Sequence, residues 1–210
     1  MLFLNGIAAD NRLAAKLLTR IEGRTRLNFD MPGLGGAPDR LYPYSIADAA
    51  VSVADAMTQL GHAQFDLAGF SWGGAVAQQL ALDHPGRIGR MVLMATSPVM
   101  PAPGLGAGAM FDADVLTSAM RLTGGSMLGA GAQLLAASGW SAVSRLPEIK
   151  GIPTLVLGAS GDMMVPLAYP QWLARLIPGA RLEVVGGAHL FAFRQAERMG
   201  PIITAFLDEA

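Results

Sequence analysis

Short apolar runs alternate with amphipathic segments along most of this chain of 210 residues. Strands are predicted where a run is brief, apolar and followed by turn residues; these runs are 2–4, 26–30, 65–68, 91–95, 154–157 and 181–185. Helices are predicted between them, where apolar residues recur every three or four positions. The alternation is typical of an α/β fold, with a mostly parallel sheet that carries helices on both faces.

Residues that begin and end helices support this pattern. Asp10 is a candidate N-cap, and Ser45 with Asp48 has the spacing of a capping box. A last helix is predicted over about 191–207. Pro201 is expected to kink or break it, because proline cannot donate the backbone hydrogen bond of a helix interior.

Residues 97–146 interrupt the alternation. This stretch is rich in glycine, alanine and methionine, with three prolines near its start. We interpret it as a short lid inserted into a single domain that spans residues 1–210. The part from 122 to 144 has no charged residue and is long enough to cross a bilayer. Its glycines, its serines and Gln133 would be costly in lipid, so no transmembrane span is expected.

One hexapeptide carries the strongest chemical signal: Gly69-Phe70-Ser71-Trp72-Gly73-Gly74. It lies between a predicted strand and a segment with helical spacing, so Ser71 falls at the apex of a tight turn. The motif G-x-S-x-G in this setting is typical of a nucleophile elbow, which exposes a serine hydroxyl above a helix N-terminus. The free N–H groups there favour a developing negative charge. Ser71 is therefore a candidate nucleophile.

A serine nucleophile needs a base, and the base needs an acid that orients it. Asp162 and His189 each follow a predicted strand, in the chain order serine, acid, histidine. Because the carboxyl ends of parallel strands meet at one edge of a sheet, these side chains are expected to come together. The alternatives are that Asp162 caps the next helix and that His189 is an ordinary loop histidine. His62 and His84 lie beside helix ends and are interpreted as structural.

Two backbone amides are candidates for an oxyanion hole: that of Trp72, directly after the serine, and that of Ile7, in the turn after the first strand. The alternative for the turn at Ile7 is a plain connection between strand and helix. The glycine-rich run 31–36 lacks the Lys-Ser/Thr ending of a phosphate-binding loop and is not interpreted as one.

Three residues of the lid are candidates for an apolar substrate site: Met100, Met127 and Trp140. Methionine is flexible and polarisable, so it can adapt to a flexible acyl chain. The alternative is that these side chains pack the lid on the body of the domain.

The composition argues against several classes of function. The net charge of −1 gives no electrostatic signature of nucleic-acid binding. The chain has no cysteine, which excludes disulfides and thiolate chemistry, and its three histidines are not at ligand spacing. We therefore expect neither a metal nor an organic cofactor. The first residues do not have the basic and apolar regions of a signal peptide, so a cytoplasmic location is expected.

These motifs resemble those of the α/β-hydrolase superfamily, and within it those of the intracellular medium-chain-length poly(3-hydroxyalkanoate) depolymerases. The matching stretches include LNGIAADN, FDMPGLGGAP, GFSWGGAVAQQLALDHP, PTLVLGASGDMMVP and GGAHLFAFRQAE. The elbow and the segments around Asp162 and His189 are shared across the superfamily. The extended elbow and the LNGI opening are narrower and point to the depolymerases.

The resemblance implies that Ser71, Asp162 and His189 form a triad that cleaves an ester through an acyl-enzyme. It implies a poly(3-hydroxyalkanoate) or a medium-chain 3-hydroxyacyl ester as substrate, and a storage-granule surface as a partner. Two alternatives remain open. One is a carboxylesterase or lactonase for small esters, and the other is a non-catalytic binding module on the same fold.

The sequence departs from the superfamily at two places. An antiparallel strand pair usually precedes the first strand, and the sequence has no residues for it. We therefore expect the strand at 26–30 to lie at a sheet edge, where Arg24, Arg26 and Asn28 could keep it from pairing with another chain. The lid also looks shorter than in the depolymerases.

Overall fold

The computed structural model describes residues 1–39, 42–100 and 126–209. Within these ranges it has six strands: β1 (Leu2–Leu4), β2 (Leu27–Asn28), β3 (Phe65–Phe70), β4 (Ile88–Met94), β5 (Thr154–Ala159) and β6 (Arg181–Val185). They form one parallel sheet in the order β2-β1-β3-β4-β5-β6. The predicted parallel sheet is confirmed, and β3 lies inside it, with β1 and β4 on its two sides.

Helices cover both faces of the sheet. In the described ranges they are α1 (Asn11–Thr19), α2 (Ile46–Gln59), α3 (Trp72–Asp83), α4 (Met127–Ala137), α5 (Ala168–Leu176), α6 (Phe191–Arg194) and α7 (Ala196–Leu207). The predicted caps are confirmed: Asp10 accepts from the Arg12 amide, and Ser45 and Asp48 form a capping box. Part of the predicted lid, residues 101–125, lies outside the described residues.

The alternation of side chains along the strands builds two apolar layers. Leu2 and Leu4 of β1 pack in the layer that contains α2, α3 and α5, and Phe3 between them packs with α1, α6 and α7. The same alternation continues in β4 and β5. Because both faces are buried, the central strands consist almost entirely of apolar residues and glycine.

The predicted last helix is wrong in one respect, the position of its break. The chain leaves helical geometry at Gln195, whose φ and ψ are −110° and 35°, and the Gln195 side chain donates to the Gly186 carbonyl at 2.6 Å. Pro201 lies inside α7. Proline leaves the carbonyl of Glu197, four residues earlier, without its helical partner, and Glu197 lies at an exposed position.

The strand β2 lies at an edge of the sheet, as predicted, although it is shorter than expected. The arginines near this strand form ion pairs and hydrogen bonds with other residues of the same chain. Arg24 forms ion pairs with Asp66 and with Asp208, and the Arg26 guanidinium donates to two carbonyls at the end of α1 and just after it. That these residues block pairing with another chain stays a prediction.

No helix in the described ranges is both long and apolar enough to cross a membrane.

Candidate active site

Ser71 occupies a sharp turn between β3 and α3. Its φ is +53°, a value that residues with a side chain rarely adopt. Three hydrogen bonds hold this backbone. The Ser71 amide donates to the Met94 carbonyl at 2.8 Å, while the Ser71 carbonyl accepts from the Thr96 hydroxyl at 2.7 Å and from the Gly74 amide at 2.9 Å. The hydroxyl does not cap α3, so it is available to another partner.

Glycines around the turn allow β1, β3 and α3 to come into backbone contact. A Cβ on Gly73 would lie 2.3 Å from the Leu4 carbonyl oxygen, and one on Gly69 would lie 2.5 Å from the Gly73 carbonyl oxygen. These distances are far inside van der Waals contact, and the atoms that would have to move belong to the backbone. The glycines of the motif are therefore needed to seat the helix on the sheet.

Gly73→Ala tests this packing. Because the added methyl would overlap the backbone of β1, we expect the free energy of unfolding to fall by at least about 2 kcal/mol, which for a protein of this size lowers Tm by about 4–8 °C. Thermal unfolding followed by circular dichroism measures the change. Gly86→Ala is the matched control, since a Cβ there has no neighbour within 4 Å. Equal melting temperatures for the two variants would contradict the packing argument.

The structure brings Asp162 and His189 to Ser71. Asp162 lies just after β5 and is 4% exposed, and His189 lies just after β6. The His189 Nδ1 atom is 2.8 Å from the Asp162 Oδ2 atom, and the His189 Nε2 atom is 3.1 Å from the Ser71 Oγ atom. The three side chains thus form one hydrogen-bonded line at the carboxyl ends of three strands.

The second carboxylate oxygen of Asp162, Oδ1, accepts hydrogen bonds from the backbone. Asp162 Oδ1 accepts from the amides of Met164 and Val165, at 2.9 and 2.8 Å. These two bonds fix the carboxylate so that Oδ2 points at the imidazole. An N–H on His189 Nδ1 can donate to this oxygen, which leaves Nε2 unprotonated and able to accept the proton of the Ser71 hydroxyl.

Phe70 holds the imidazole from another side. Its ring centroid is 5.0 Å from that of His189, and the edge-to-face ring of Phe193 packs on Phe70 with centroids 4.6 Å apart. Sequence reasoning missed this support, because Phe70 occupies a variable position of the G-x-S-x-G motif. The histidine is therefore oriented both by hydrogen bonds and by aromatic packing.

The candidate oxyanion donors lie close to the serine. A Cβ built on Gly6 would be 3.4 Å from the Ser71 Cβ, so the turn that contains Ile7 passes directly beside the nucleophile candidate. Trp72 is the first residue of α3. Within the described part of the chain, neither the Ile7 amide nor the Trp72 amide donates a hydrogen bond to a protein acceptor. Their role as oxyanion donors stays a prediction.

The three candidates for substrate binding lie in different surroundings. Met100 is buried in the core, Met127 is 71% exposed on the first turn of α4, and the Trp140 indole donates to Gln79 at 2.9 Å. Met127 also lines an apolar cleft of about 700 Å³ that α4 forms with Pro32, Asp39, Tyr42 and Pro43. Contact of any of these residues with a substrate stays a prediction.

Across the described ranges, histidine, aspartate and glutamate side chains do not gather in a group of three or more that could hold a metal ion. The arrangement around Ser71 is suited to another chemistry. It can transfer a proton from a hydroxyl to an imidazole and place two amides near the oxygen that becomes negative.

The sequence of this chain is similar to those of known hydrolases. A model of the alpha/beta hydrolase fold family matches residues 1–123. A poly(3-hydroxyalkanoate) depolymerase of Ectopseudomonas oleovorans is 33% identical over 239 residues, covering 100% of this chain and 84% of the relative. A pimeloyl-[acyl-carrier protein] methyl ester esterase of Aromatoleum aromaticum is 31% identical over 198 residues, covering 72% of this chain and 74% of that relative.

Solved structures agree on the fold. The crystal structure of the enol-lactonase from Burkholderia xenovorans LB400 aligns with a TM-score of 0.82 at 21% identity, covering 99% of this chain and 91% of that one. At this identity the likeness concerns the fold alone.

Proposed function

The chain belongs to the alpha/beta hydrolase family, and from this premise we propose that it cleaves carboxylic esters with Ser71 as nucleophile. The observation that carries the proposal is the hydrogen-bonded line from Ser71 Oγ through His189 to Asp162. A serine hydroxyl is a weak nucleophile until a neighbouring base accepts its proton. The relatives at 33% and 31% identity are ester hydrolases by name, which supports the same class of reaction.

In the proposed first step, His189 Nε2 takes the hydroxyl proton while Ser71 Oγ attacks the ester carbonyl. The negative charge that develops on the carbonyl oxygen is stabilised by the amides of Ile7 and Trp72 and by the N-terminus of α3. Asp162 keeps the proton of neutral His189 on Nδ1 and stabilises the imidazolium that forms. The imidazolium then donates its new proton to the leaving alcohol, and an acyl-serine remains.

In the proposed second step, a water molecule attacks the acyl-serine. His189 Nε2 accepts the proton of that water, the same amides hold the second oxyanion, and the serine oxygen regains a proton as the carboxylic acid leaves. One base thus serves both half-reactions, and the chain ends in its starting protonation state. The sum of the two steps is ester plus water to carboxylic acid plus alcohol.

For the substrate, we propose a poly(3-hydroxyalkanoate) or medium-chain 3-hydroxyacyl ester. The relative with 33% identity is a poly(3-hydroxyalkanoate) depolymerase, and its similarity covers the whole chain. The apolar cleft along α4 offers a surface for aliphatic side chains of such a polyester. A water-insoluble polyester also implies work at its surface, so a storage granule is the proposed partner.

The proposal predicts a preference for medium chains. We expect kcat/KM for p-nitrophenyl octanoate to exceed that for the acetate by at least about tenfold. Burial of only two of the additional methylene groups of the octanoyl chain already accounts for that factor. Initial rates on acetate, octanoate and dodecanoate esters measure it, followed by acid release from poly(3-hydroxyoctanoate) dispersions. Ser71→Ala serves as the control for background hydrolysis.

A second candidate, an esterase for small esters, has its own support in the methyl ester esterase at 31% identity. Highest kcat/KM on the acetate, with no acid released from the polymer, would favour this candidate. No turnover of any ester by a folded sample would contradict ester hydrolysis altogether.

A further inference from the structure

One fully buried polar side chain joins α4 to the surroundings of Ser71. Gln133 is 0% exposed in a helix whose other residues are alanine, glycine, leucine and methionine. Its Oε1 atom accepts from the Ala8 amide at 2.7 Å, and its backbone carbonyl accepts from the Trp72 indole N–H at 3.0 Å. A single residue of α4 therefore contacts both segments that carry the candidate oxyanion donors.

The amide of Gln133 is only partly paired. A buried amide costs free energy unless its donors and acceptors are paired, and within the described residues Gln133 Nε2 has no hydrogen-bond partner. An apolar side chain of the same length would avoid that cost, but it would also take this acceptor away from the Ala8 amide. The contact that distinguishes glutamine is the one that Oε1 makes with Ala8.

Ala8 needs such support because its backbone is strained. Its φ is +58°, in the left-handed region that alanine rarely occupies. Strain of this kind persists where surrounding contacts hold it, and it is concentrated at functional sites. The hydrogen bond to Gln133 restrains the peptide group between Ile7 and Ala8, which adjoins the peptide group that carries the Ile7 amide.

We propose that Gln133 is a positioning residue that sets the oxyanion hole by holding the loop from Gly6 to Ala8. The inference rests on the proposed ester hydrolysis. It makes α4 a part of the catalytic framework, where sequence analysis placed only a lid.

The position of α4 is set by a second contact. A Cβ on Gly129 would lie 2.5 Å from the Gly33 carbonyl oxygen, and the Ser126 hydroxyl donates to the same oxygen at 2.7 Å. Gly129 lies four residues before Gln133, so the two share one face of the helix. The docking of α4 on the segment around Gly33 therefore determines where Gln133 meets Ala8.

Gln133→Met is the direct test, since methionine keeps the length of the side chain and lacks the amide oxygen. We expect kcat per titrated active site to fall about 10- to 100-fold with KM within about threefold, less than the loss of a whole oxyanion donor. The affinity for a trifluoromethyl ketone, which forms an oxyanion on Ser71, should fall in parallel with kcat/KM.

Gln78→Met is the matched control. Gln78 is also 0% exposed, and it donates to the carbonyls of Gly74 and Ser97. Among the described residues it has no hydrogen bond to the loop from Gly6 to Ala8. We expect it to lower Tm and to leave kcat within about twofold of the wild type. Equal losses of kcat in the two variants would overturn the positioning role of Gln133.

Gly129→Ala tests the same link if Gln133→Met does not fold, because it shifts α4 and keeps Gln133. A fall of kcat together with a weaker affinity for the trifluoromethyl ketone supports the proposal, and a full kcat in this variant overturns it. Full kcat in Gln133→Met overturns it as well. An inactive wild type would instead contradict the proposed ester hydrolysis, so the two failures are distinguishable.

Discussion

Ser71→Ala should abolish ester hydrolysis and leave the fold intact. The alanine keeps the backbone bonds of the elbow and removes only the Oγ atom, which is 3.1 Å from His189 Nε2. Without this nucleophile no acyl-enzyme can form, and we expect kcat to fall on the order of 10⁶-fold. That loss corresponds to about 8 kcal/mol of transition-state stabilisation.

Hydrolysis of p-nitrophenyl octanoate, corrected for the spontaneous rate, measures the loss in Ser71→Ala. Labelling with a fluorophosphonate, read by intact mass, should give one adduct on the wild type and none on the variant. Ser52→Ala is the control, since Ser52 is an exposed residue of α2 whose hydroxyl donates to the Asp48 carbonyl. Activity that survives in Ser71→Ala would remove this residue from the mechanism.

Asp162→Asn should also lower kcat strongly, by exchanging one carboxylate oxygen for an NH₂ group. The carbonyl oxygen of the asparagine would stay on the amides of Met164 and Val165, which need an acceptor. Its NH₂ group would then face His189 Nδ1 and force that atom to be the acceptor. The imidazole proton would move to Nε2, where it faces Ser71 and prevents proton transfer. We expect kcat to fall on the order of 10³- to 10⁴-fold.

Steady-state rates with the active fraction titrated measure the effect of Asp162→Asn. Asp66→Asn is the matched control, because Asp66 lies in β3, the strand that leads to Ser71, and pairs with Arg24. That control should lower stability and leave kcat within about twofold. A loss of less than tenfold in Asp162→Asn would mean that another group orients His189.

The meeting of Ser71, Asp162 and His189 could be predicted because each signal is local. Each residue follows a strand, and parallel strands deliver the residues after them to one edge of the sheet. The same holds for the caps at Asp10 and Ser45, where a few neighbouring residues decide the structure. Patterns that involve only a few neighbouring residues can be recognised in a single sequence.

Contacts between distant segments could not be predicted. The segment at 31–36 has no phosphate-loop signature, and nothing local shows that Gly33 meets Gly129, which lies 96 positions later. In the sequence, Gln133 is recognisable only as a polar residue in an apolar stretch, and its contact with Ala8 has no local signal. The break of the last helix falls at Gln195 because its side chain bonds Gly186, a tertiary contact that outweighs the local tendency of Pro201.

The amide of Ser71 donates to the Met94 carbonyl, which ties the turn that carries Ser71 to the central strand β4. Exchange of that amide proton with solvent requires the middle of the sheet to separate, an opening comparable to global unfolding. The loop from Gly6 to Ala8 lies outside the strands and can open at lower free energy. We therefore expect mild denaturant to disturb the loop from Gly6 to Ala8 before it disturbs the backbone of Ser71.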